Sequence, residues 1–567
     1  MLISWALRKS LSGYNIGTFK SDVMAGLIVS LVALPLAMAL AIAVGLSPQY
    51  GIYTAIVAGV SVPLLGGSFH QVSGPTAAFV VIIAPIVSTH GLRGLIITTV
   101  MAGGILVAVG ILKLGRYINY IPYPVTTGFT SGIAVVIGVL SLNDFLGLHI
   151  AKLPESFIEK IISIAENLPF ARWPETLIGL ISIIVMFTSG RFIKQIPSPI
   201  VGIGLGTVLG IILNSYGVDI ATIGSRFSYS LSDGSLVQGI PPYIPSFEIP
   251  GISTLELFRL PFFSELKDLS IPAVVVAALA ALESLLSAAV ADGMAGTKHN
   301  PNAELIGIGI GNILSGLASG MPATGAIART ATNIQNGGRT PLASSIHAVF
   351  ILGYILFFAH YMSYVPMASL AALLLLVAYR MSHIQQFMRI LKISPLEDSI
   401  VLIVCFIFTV VIDMVAGVAA GVVMACFLLV RRISNITQLH ISDHTRQSSK
   451  MNNNQVPKDT IVYHINGSLF FGNVEQVLEQ IEIVSSQTHT FIIDLENVPL
   501  LDMTGMIAIK RIVLDLSKNK KNTILCVGKP FLNAIQQKLR EVSDSGLYIK
   551  ESLDEALELA NTLLDKG

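Results

Sequence analysis

Glu283 is the only charged residue in the run IPAVVVAALAALESLLSAAVA, residues 271–291. An ionised carboxylate facing lipid in such a run costs at least ~2.5 kcal/mol, so it must face a protein interior or a cavity. Ser287 follows four residues later on the same helical face. Two readings are open. Glu283 is a protonatable carboxylate that couples solute movement to a proton, or a structural carboxylate paired permanently with Arg329.

Two further stretches could do chemistry together: Gln71-Val72-Ser73-Gly74-Pro75-Thr76-Ala77-Ala78-Phe79, and Gly320-Met321-Pro322-Ala323-Thr324-Gly325-Ala326-Ile327-Ala328-Arg329-Thr330. Each sets a proline among small and hydroxyl residues where an apolar run begins. Proline suits the first helical position, where its missing N–H costs nothing. Small neighbours admit a ligand to the free backbone N–H groups. Such a helix start attracts anions through its free donors and roughly half a unit of positive charge. The expected anion site is therefore Ser73, Gly74, Thr76 and Ala77 on one side, and Ala323, Thr324, Gly325 and Ala326 on the other. Arg329 is expected about two turns into the second helix. The plainer alternative is that proline and glycine merely kink two membrane helices. His70, His90 and His299 fall at expected span ends as interfacial residues, and Asp413 falls at a turn as a cap. Gly307-Ile308-Gly309-Ile310-Gly311 lacks the strand of a nucleotide loop and reads as close helix packing.

These residues need a membrane to position them. Of 567 residues, 53% are hydrophobic and 12% charged, about half the charge of a soluble chain. Apolar runs recur from Val23 to Val430, about fourteen in all and many near the ~20 residues that cross a bilayer. Lys113, Arg116, Arg191, Lys194, Lys298, Arg339, Arg380, Arg389, Lys392, Arg431 and Arg432 all fall on one side if the N-terminus is cytoplasmic. Both termini are then inside, and the first run reads as an uncleaved span. A polar insertion over 218–268 with Pro241, Pro242, Pro245, Pro250 and Pro261 is expected as an outside loop. A net charge of +1 gives no sign of nucleic-acid binding, and three cysteines form no disulfide framework or metal cluster.

After Arg432 the composition changes. The expected division is a cytosolic N-terminus over 1–22, a transport domain over 23–432, a polar linker over 433–459 and a small cytosolic α/β domain over 460–567. Strand-like TIVYHIN, FIIDL and TILCVG alternate there with helical VEQVLEQIEIV, TGMIAIKRIVLDL and FLNAIQQKLREV.

QVSGPTAAFVV, ALESLLSAAVADGMAGTKHNPNAELIGIGIGNILSGL and ATGAIARTATNIQNGGRTPLAS resemble the signature stretches of the sulfate permease (SulP) family of anion transporters. The tail resembles a STAS (sulfate transporter and anti-sigma factor antagonist) domain. Ser21-Asp22-Val23-Met24-Ala25-Gly26, ALPLAMALAIAVGLSPQYGIYTA, GFTSGI, DFLGL, ATIGSRFSYSLSDG and DGMAGTKH look closest to the family's bacterial four-carbon dicarboxylic acid transporters, which take up succinate, fumarate and aspartate. The resemblance implies a seven-plus-seven inverted repeat with core and gate domains, an elevator-like step and a homodimer. It puts Glu283 at the family's acidic ion-coupling position, Ser287 at a sodium-coupled relative's hydroxyl ligand, and Arg329 near the bound anion. Pro35 is followed by Leu36 where animal relatives often carry a polar residue, which removes one expected contact. In Asp502-Met503-Thr504-Gly505, Thr504 matches a phosphorylatable serine of anti-sigma antagonists; the alternative is a helix N-cap. Acyl carrier protein is implied as a partner of the tail.

The expectation is proton-coupled uptake of small anions across a bacterial inner membrane, dicarboxylates ahead of sulfate or bicarbonate, with sodium as the alternative coupling ion and no resident cofactor. A passive channel or exchanger is the competing class, and a lone mid-membrane acid argues against it. A catalytic tail is disfavoured, since it shows no phosphate-cradling loop.

Overall fold

Apolar segments in lipid must satisfy their own backbone polar groups, and a helix does so within one segment. The computed structural model describes residues 3–120, 122–150, 153–154, 156–193, 196–230, 235–245, 265–412, 414–443, 456–481, 488–539 and 546–564. Pro250, Pro261, Asp413 and linker residues 444–455 lie outside the described residues.

The first half carries α1 (Trp5–Leu11), α2 (Ile16–Ala43), α3 (Pro48–Leu65), a two-residue strand β1 (Ser73–Gly74), a 3-10 turn over Ala77–Phe79, α4 (Val80–Ile111), α5 (Tyr123–Phe145), α6 (Phe157–Asn167), α7 (Trp173–Phe192) and α8 (Ser198–Ser215). The polar insertion holds α9 (Ile223–Arg226) and the hairpin β2 (Ser228–Ser230) with β3 (Leu236–Gln238). The second half carries α10 (Ser270–Ala295), α11 (Pro301–Leu317), strand β4 (Thr324–Gly325), α12 (Ile327–Gln335), α13 (Pro341–Met362), α14 (Met367–Met381), α15 (Ile384–Ile393), α16 (Leu396–Val411) and α17 (Met414–Ile436).

Local chemistry sets these boundaries. Asn15 accepts from Thr18 N–H to start α2, and Asn300 accepts from the Asn302 and Ala303 N–H groups to start α11. Pro48, Pro301 and Pro341 each occupy a first helical turn. Gly91, at φ 62° and ψ −159°, breaks α4 into two crossings.

Nine helices among the described residues are long and apolar enough to cross a membrane. With α4 counted twice and α3, α11, α12 and α16 added, which are too short or too polar to be among those nine, seven membrane segments precede the insertion among the described residues (α2, α3, α4 twice, α5, α7, α8). Seven follow it (α10, α11, α12, α13, α14, α16, α17). In each half the third crossing begins as a short strand, and the two strands pair antiparallel, so the halves run in opposite senses. Glycine allows the tight packing. A Cβ on Gly103 would lie 2.6 Å from the Gly309 carbonyl, and one on Gly309 would lie 2.7 Å from the Gly103 carbonyl.

The chain divides into compact units Met1–Val422 and Val423–Gly567. The second unit contains a five-stranded sheet in the order β5 (Gln438–Ser442), β6 (Thr460–Asn466), β7 (Thr490–Asp494), β8 (Asn522–Cys526), β9 (Leu547–Lys550). β5 is antiparallel to β6 and the other pairs are parallel. Period-two alternation splits its side chains between two faces. Tyr463, Ile465, Phe491, Ile493 and Leu525 pack with α18 (Val474–Ile481), α19 (Met503–Lys518) and α20 (Lys529–Leu539). Val462, Ile492, Ile524 and Cys526 pack under Ala556, Leu557 and Ala560 of α21 (Leu553–Leu564). Burial pushes the Tyr463 hydroxyl up to about 12. It raises the Cys526 thiol too, with Asp494, Glu496 and Glu555 adding to the shift. Residues 438–442, expected in a polar linker, instead form the edge strand: alternating Leu439 and Ile441 pair opposite Ile465 and Tyr463.

Candidate functional site

Ser73 lies opposite Gly325 and Gly74 opposite Thr324. The Ala326 N–H donates to the Val72 carbonyl at 2.9 Å. The sequence-predicted stretches therefore meet. The helix starts differ from expectation, however. Pro75 lies two residues before Ala77, and Pro322 five before Ile327, so neither proline takes the first helical position. Strand pairing holds residues 73–74 and 324–325 extended, and a residue preceding proline resists helical backbone. Arg329 is consequently the third residue of α12, in its first turn rather than its second.

Thr76 and Ala326 flank the two starts, and neither makes a side-chain cap hydrogen bond. The leading N–H groups of both helices are thus left for a ligand. Arg329 is 1% exposed. Its Nη2 donates to the Pro75 carbonyl at 2.5 Å, while Nε and Nη1 have no hydrogen-bond partner among the described residues. Gly74 makes room for it, since a Cβ there would lie 2.7 Å from Nη1. Two guanidinium donors and two uncapped helix starts suit a compact oxyanion.

The Thr76 hydroxyl donates to Glu283 Oε2 at 2.8 Å. The guanidinium's bond goes to Pro75 and no Glu283–Arg329 ion pair forms among the described residues. Glu283 and Arg329 are thus close without being directly bonded, and both the coupling and the structural reading of the carboxylate stay open. Ser287 is fully buried. Its Oγ donates to Thr330 Oγ1 at 3.3 Å, which also accepts from the Val72 N–H at 3.0 Å. Ser73, Gly74, Ala77, Ala323, Thr324, Gly325, Ser287 and Arg329 are buried, whereas Thr76, Glu283 and Ala326 are half-buried. Those three form the open side of the site.

The supporting residues were missed from sequence. Ser284 donates to Thr324 Oγ1 at 3.1 Å and accepts from the Gly325 N–H at 3.0 Å. Asn312 holds Ala323 twice, its Oδ1 accepting the N–H at 2.8 Å and its Nδ2 donating to the carbonyl at 2.9 Å. Thr54 accepts from the Met321 N–H at 2.6 Å. Glu304, 1% exposed, accepts from the Gly67 and Ser68 N–H groups at 2.7 Å each. Asp22 accepts from the Arg339 N–H at 2.7 Å and from the Thr340 hydroxyl at 2.6 Å. Each carboxylate thereby ties down a loop of the opposite half, Glu304 the one that leads into β1 and Asp22 the one that follows α12. Polar residues inside apolar spans were the available signal.

The other expectations divide. His70 is buried against the Gly338 carbonyl at 3.0 Å, not interfacial. His299 pairs with Asp292 at 2.7 Å, and His90 contacts Thr89 at 2.8 Å. Gly307 packs against Gly66. Thr504 is exposed at the second position of α19, while the N-cap is Asp502, which accepts from the Gly505 N–H at 2.8 Å.

Fold and site together define a multi-pass membrane protein with a candidate anion site between its two halves. The family model "Sulfate permease family" matches residues 19–404 and "STAS domain" matches 452–556. The chain is 36% identical to the putative sulfate transporter YvdB of Bacillus subtilis, over 91% of this chain and 92% of that protein. It is 27% identical to the bicarbonate transporter BicA of a Picosynechococcus species, over 90% and 88%. The murine Slc26a9 anion transporter in its inward-facing state shares the fold, with a TM-score of 0.80 and 18% identity over 99% of this chain and 94% of that one. The chain belongs to the sulfate permease family of anion transporters.

Proposed function

We propose that this protein is a secondary active carrier that takes up a small oxyanion together with a proton. One observation carries the reading: the Glu283 carboxyl shares the Thr76 hydroxyl beside a guanidinium with two unused donors. The anion binds between Ser73–Ala77 and Ala323–Ala326, held by the helix-start N–H groups and Arg329. Glu283 carries the proton, so that one negative charge is cancelled for each anion admitted. Ser287 braces Thr330 in this scheme; sodium at Glu283 and Ser287 is the alternative.

Sulfate and bicarbonate come first as substrates, because the names of the relatives point there. The four-carbon dicarboxylates follow, on the motif resemblance alone. In this reading the site moves relative to α5 and α14 along a seam whose α2 side is Ala39, Ile42 and Ala43, apolar side chains with no hydrogen bond to be broken in an elevator-like slide. The loop charges support both termini in the cytoplasm of a bacterial inner membrane. A homodimer, a cytosolic protein partner of the acyl carrier type and phosphorylation of exposed Thr504 complete the proposal; mass spectrometry of native protein tests the last.

The test is uptake of labelled sulfate, bicarbonate and succinate by proteoliposomes at two external pH values. An inward proton gradient should raise accumulation of at least one of them several-fold. Equal uptake of every anion with and without the gradient overturns the reading in favour of a passive channel.

A further inference from the structure

We propose that α15 is a docking surface for anionic phospholipid headgroups, with Arg389 and Lys392 as the residues that select them. This rests on the multi-pass membrane reading alone, not on the choice of anion or coupling ion.

α15 joins two crossings that end and begin on one side, α14 at Met381 and α16 at Leu396. A ten-residue helix is about 15 Å long, and with both ends tied to span ends it lies along the membrane surface. At 100° per residue, Ile384, Phe387, Met388, Ile390 and Leu391 share one arc of IQQFMRILKI, and Gln385, Arg389 and Lys392 share the opposite one.

Three adjacent strips of this helix differ in surroundings, with Ile393, 78% exposed, lying beyond them at its C-terminal end. Ile390 is 6% exposed, and Phe387 packs edge-on to Phe406 at 5.3 Å. Beside them, Ile384 at 56% and Met388 at 44% are bare. Beyond those, Arg389 and Lys392 are exposed. Protein contact, bare apolar strip, then cation is the profile of a helix lying in the plane of the acyl–headgroup boundary.

The helix carries no acidic residue, and Arg380 at the end of α14 adds to its positive charge. Glu397 and Asp398 open α16. Among the described residues, neither forms an ion pair with Arg389 or Lys392. Both cations are therefore available to a headgroup phosphate. Each Lys or Arg near an anionic surface is worth about fivefold in association.

The test uses the full chain in phosphatidylcholine vesicles containing a spin-labelled lipid. Electron paramagnetic resonance then reads the motionally restricted fraction for labelled phosphatidylglycerol against labelled phosphatidylcholine. The native protein should prefer phosphatidylglycerol, and Arg389→Gln/Lys392→Gln should lower that preference at least threefold. The charge-preserving pair Arg389→Lys/Lys392→Arg should keep it, as should Lys518→Gln/Lys520→Gln, which removes the same charge from the STAS unit. No native preference, an equal fall in the Lys518/Lys520 variant, or a loss in the charge-preserving pair would each overturn the proposal. Transport activity does not enter the readout, so the result is independent of the carrier reading above.

Discussion

The Nη2 of Arg329 donates to the carbonyl of Pro75 at 2.5 Å, joining two positions 254 residues apart in sequence. This bond points the guanidinium across the paired strands, and Nε and Nη1 are without hydrogen-bond partners among the described residues. A buried cation with unused donors is costly by itself and favourable once an anion arrives.

Removing that charge should cost affinity first. Arg329→Ala is expected to raise the KM for the transported anion at least tenfold, the equivalent of one charge-assisted hydrogen bond or more. Arg329→Lys should recover part of the loss, since a lysine supplies charge without the fork. Initial-rate uptake over a range of anion concentrations checks this; an unchanged KM in both variants places the anion elsewhere.

Asn312 should matter for stability more than its position suggests. Asn312→Leu leaves the Ala323 N–H and carbonyl buried and unpaired, at about 1–3 kcal/mol for each group. The thermal unfolding midpoint of the purified protein should fall by several degrees. Asn312→Asp, which keeps an acceptor for the N–H, should fall less.

In the STAS unit, Cys526 and Tyr463 give a pH dependence whose sign can be worked out. Both groups are raised on folding, Tyr463 to about 12. Their protonated forms are the ones the fold accommodates. The stability they contribute is fully present below the unfolded values, about 8.5 for the thiol and about 10 for the phenol, and is lost as pH climbs beyond them. Maleimide labelling resolved by peptide mass spectrometry should find Cys526 unreactive at pH 7. Labelling should accelerate at alkaline pH together with unfolding of the unit. Rapid modification of Cys526 at neutral pH in folded protein contradicts this.

Much of the architecture was legible because lipid imposes simple rules: apolar length, loop charge and repeated proline-interrupted segments bring Ser73–Ala77 and Ala323–Ala326 together. What was not legible depended on pairings distant in sequence. Pro75 and Pro322 look like helix starts because nothing nearby reveals that Gly74 and Thr324 are strand partners. Arg329 was placed a turn too deep for the same reason. Gln438–Ser442 read as linker since an edge strand's polar side resembles a loop until β6 lies beside it. Asp502, not Thr504, caps α19; both residue types suit a cap, and only backbone geometry separates them. Ser284 and Glu304 were overlooked because each satisfies backbone groups far away in the chain, and Asn312 because the loop that brings Ala323 back to it is not visible in the sequence.

The most direct measurement of the central claim is accumulation of the transported anion in proteoliposomes under an imposed inward proton gradient, with Glu283→Gln beside the native protein. The neutral amide keeps the shape and can still accept from Thr76, but it cannot take up and release a proton. The account predicts that the variant equilibrates anion downhill yet no longer accumulates it when the gradient is applied. Gradient-driven accumulation by Glu283→Gln to the native level would contradict it.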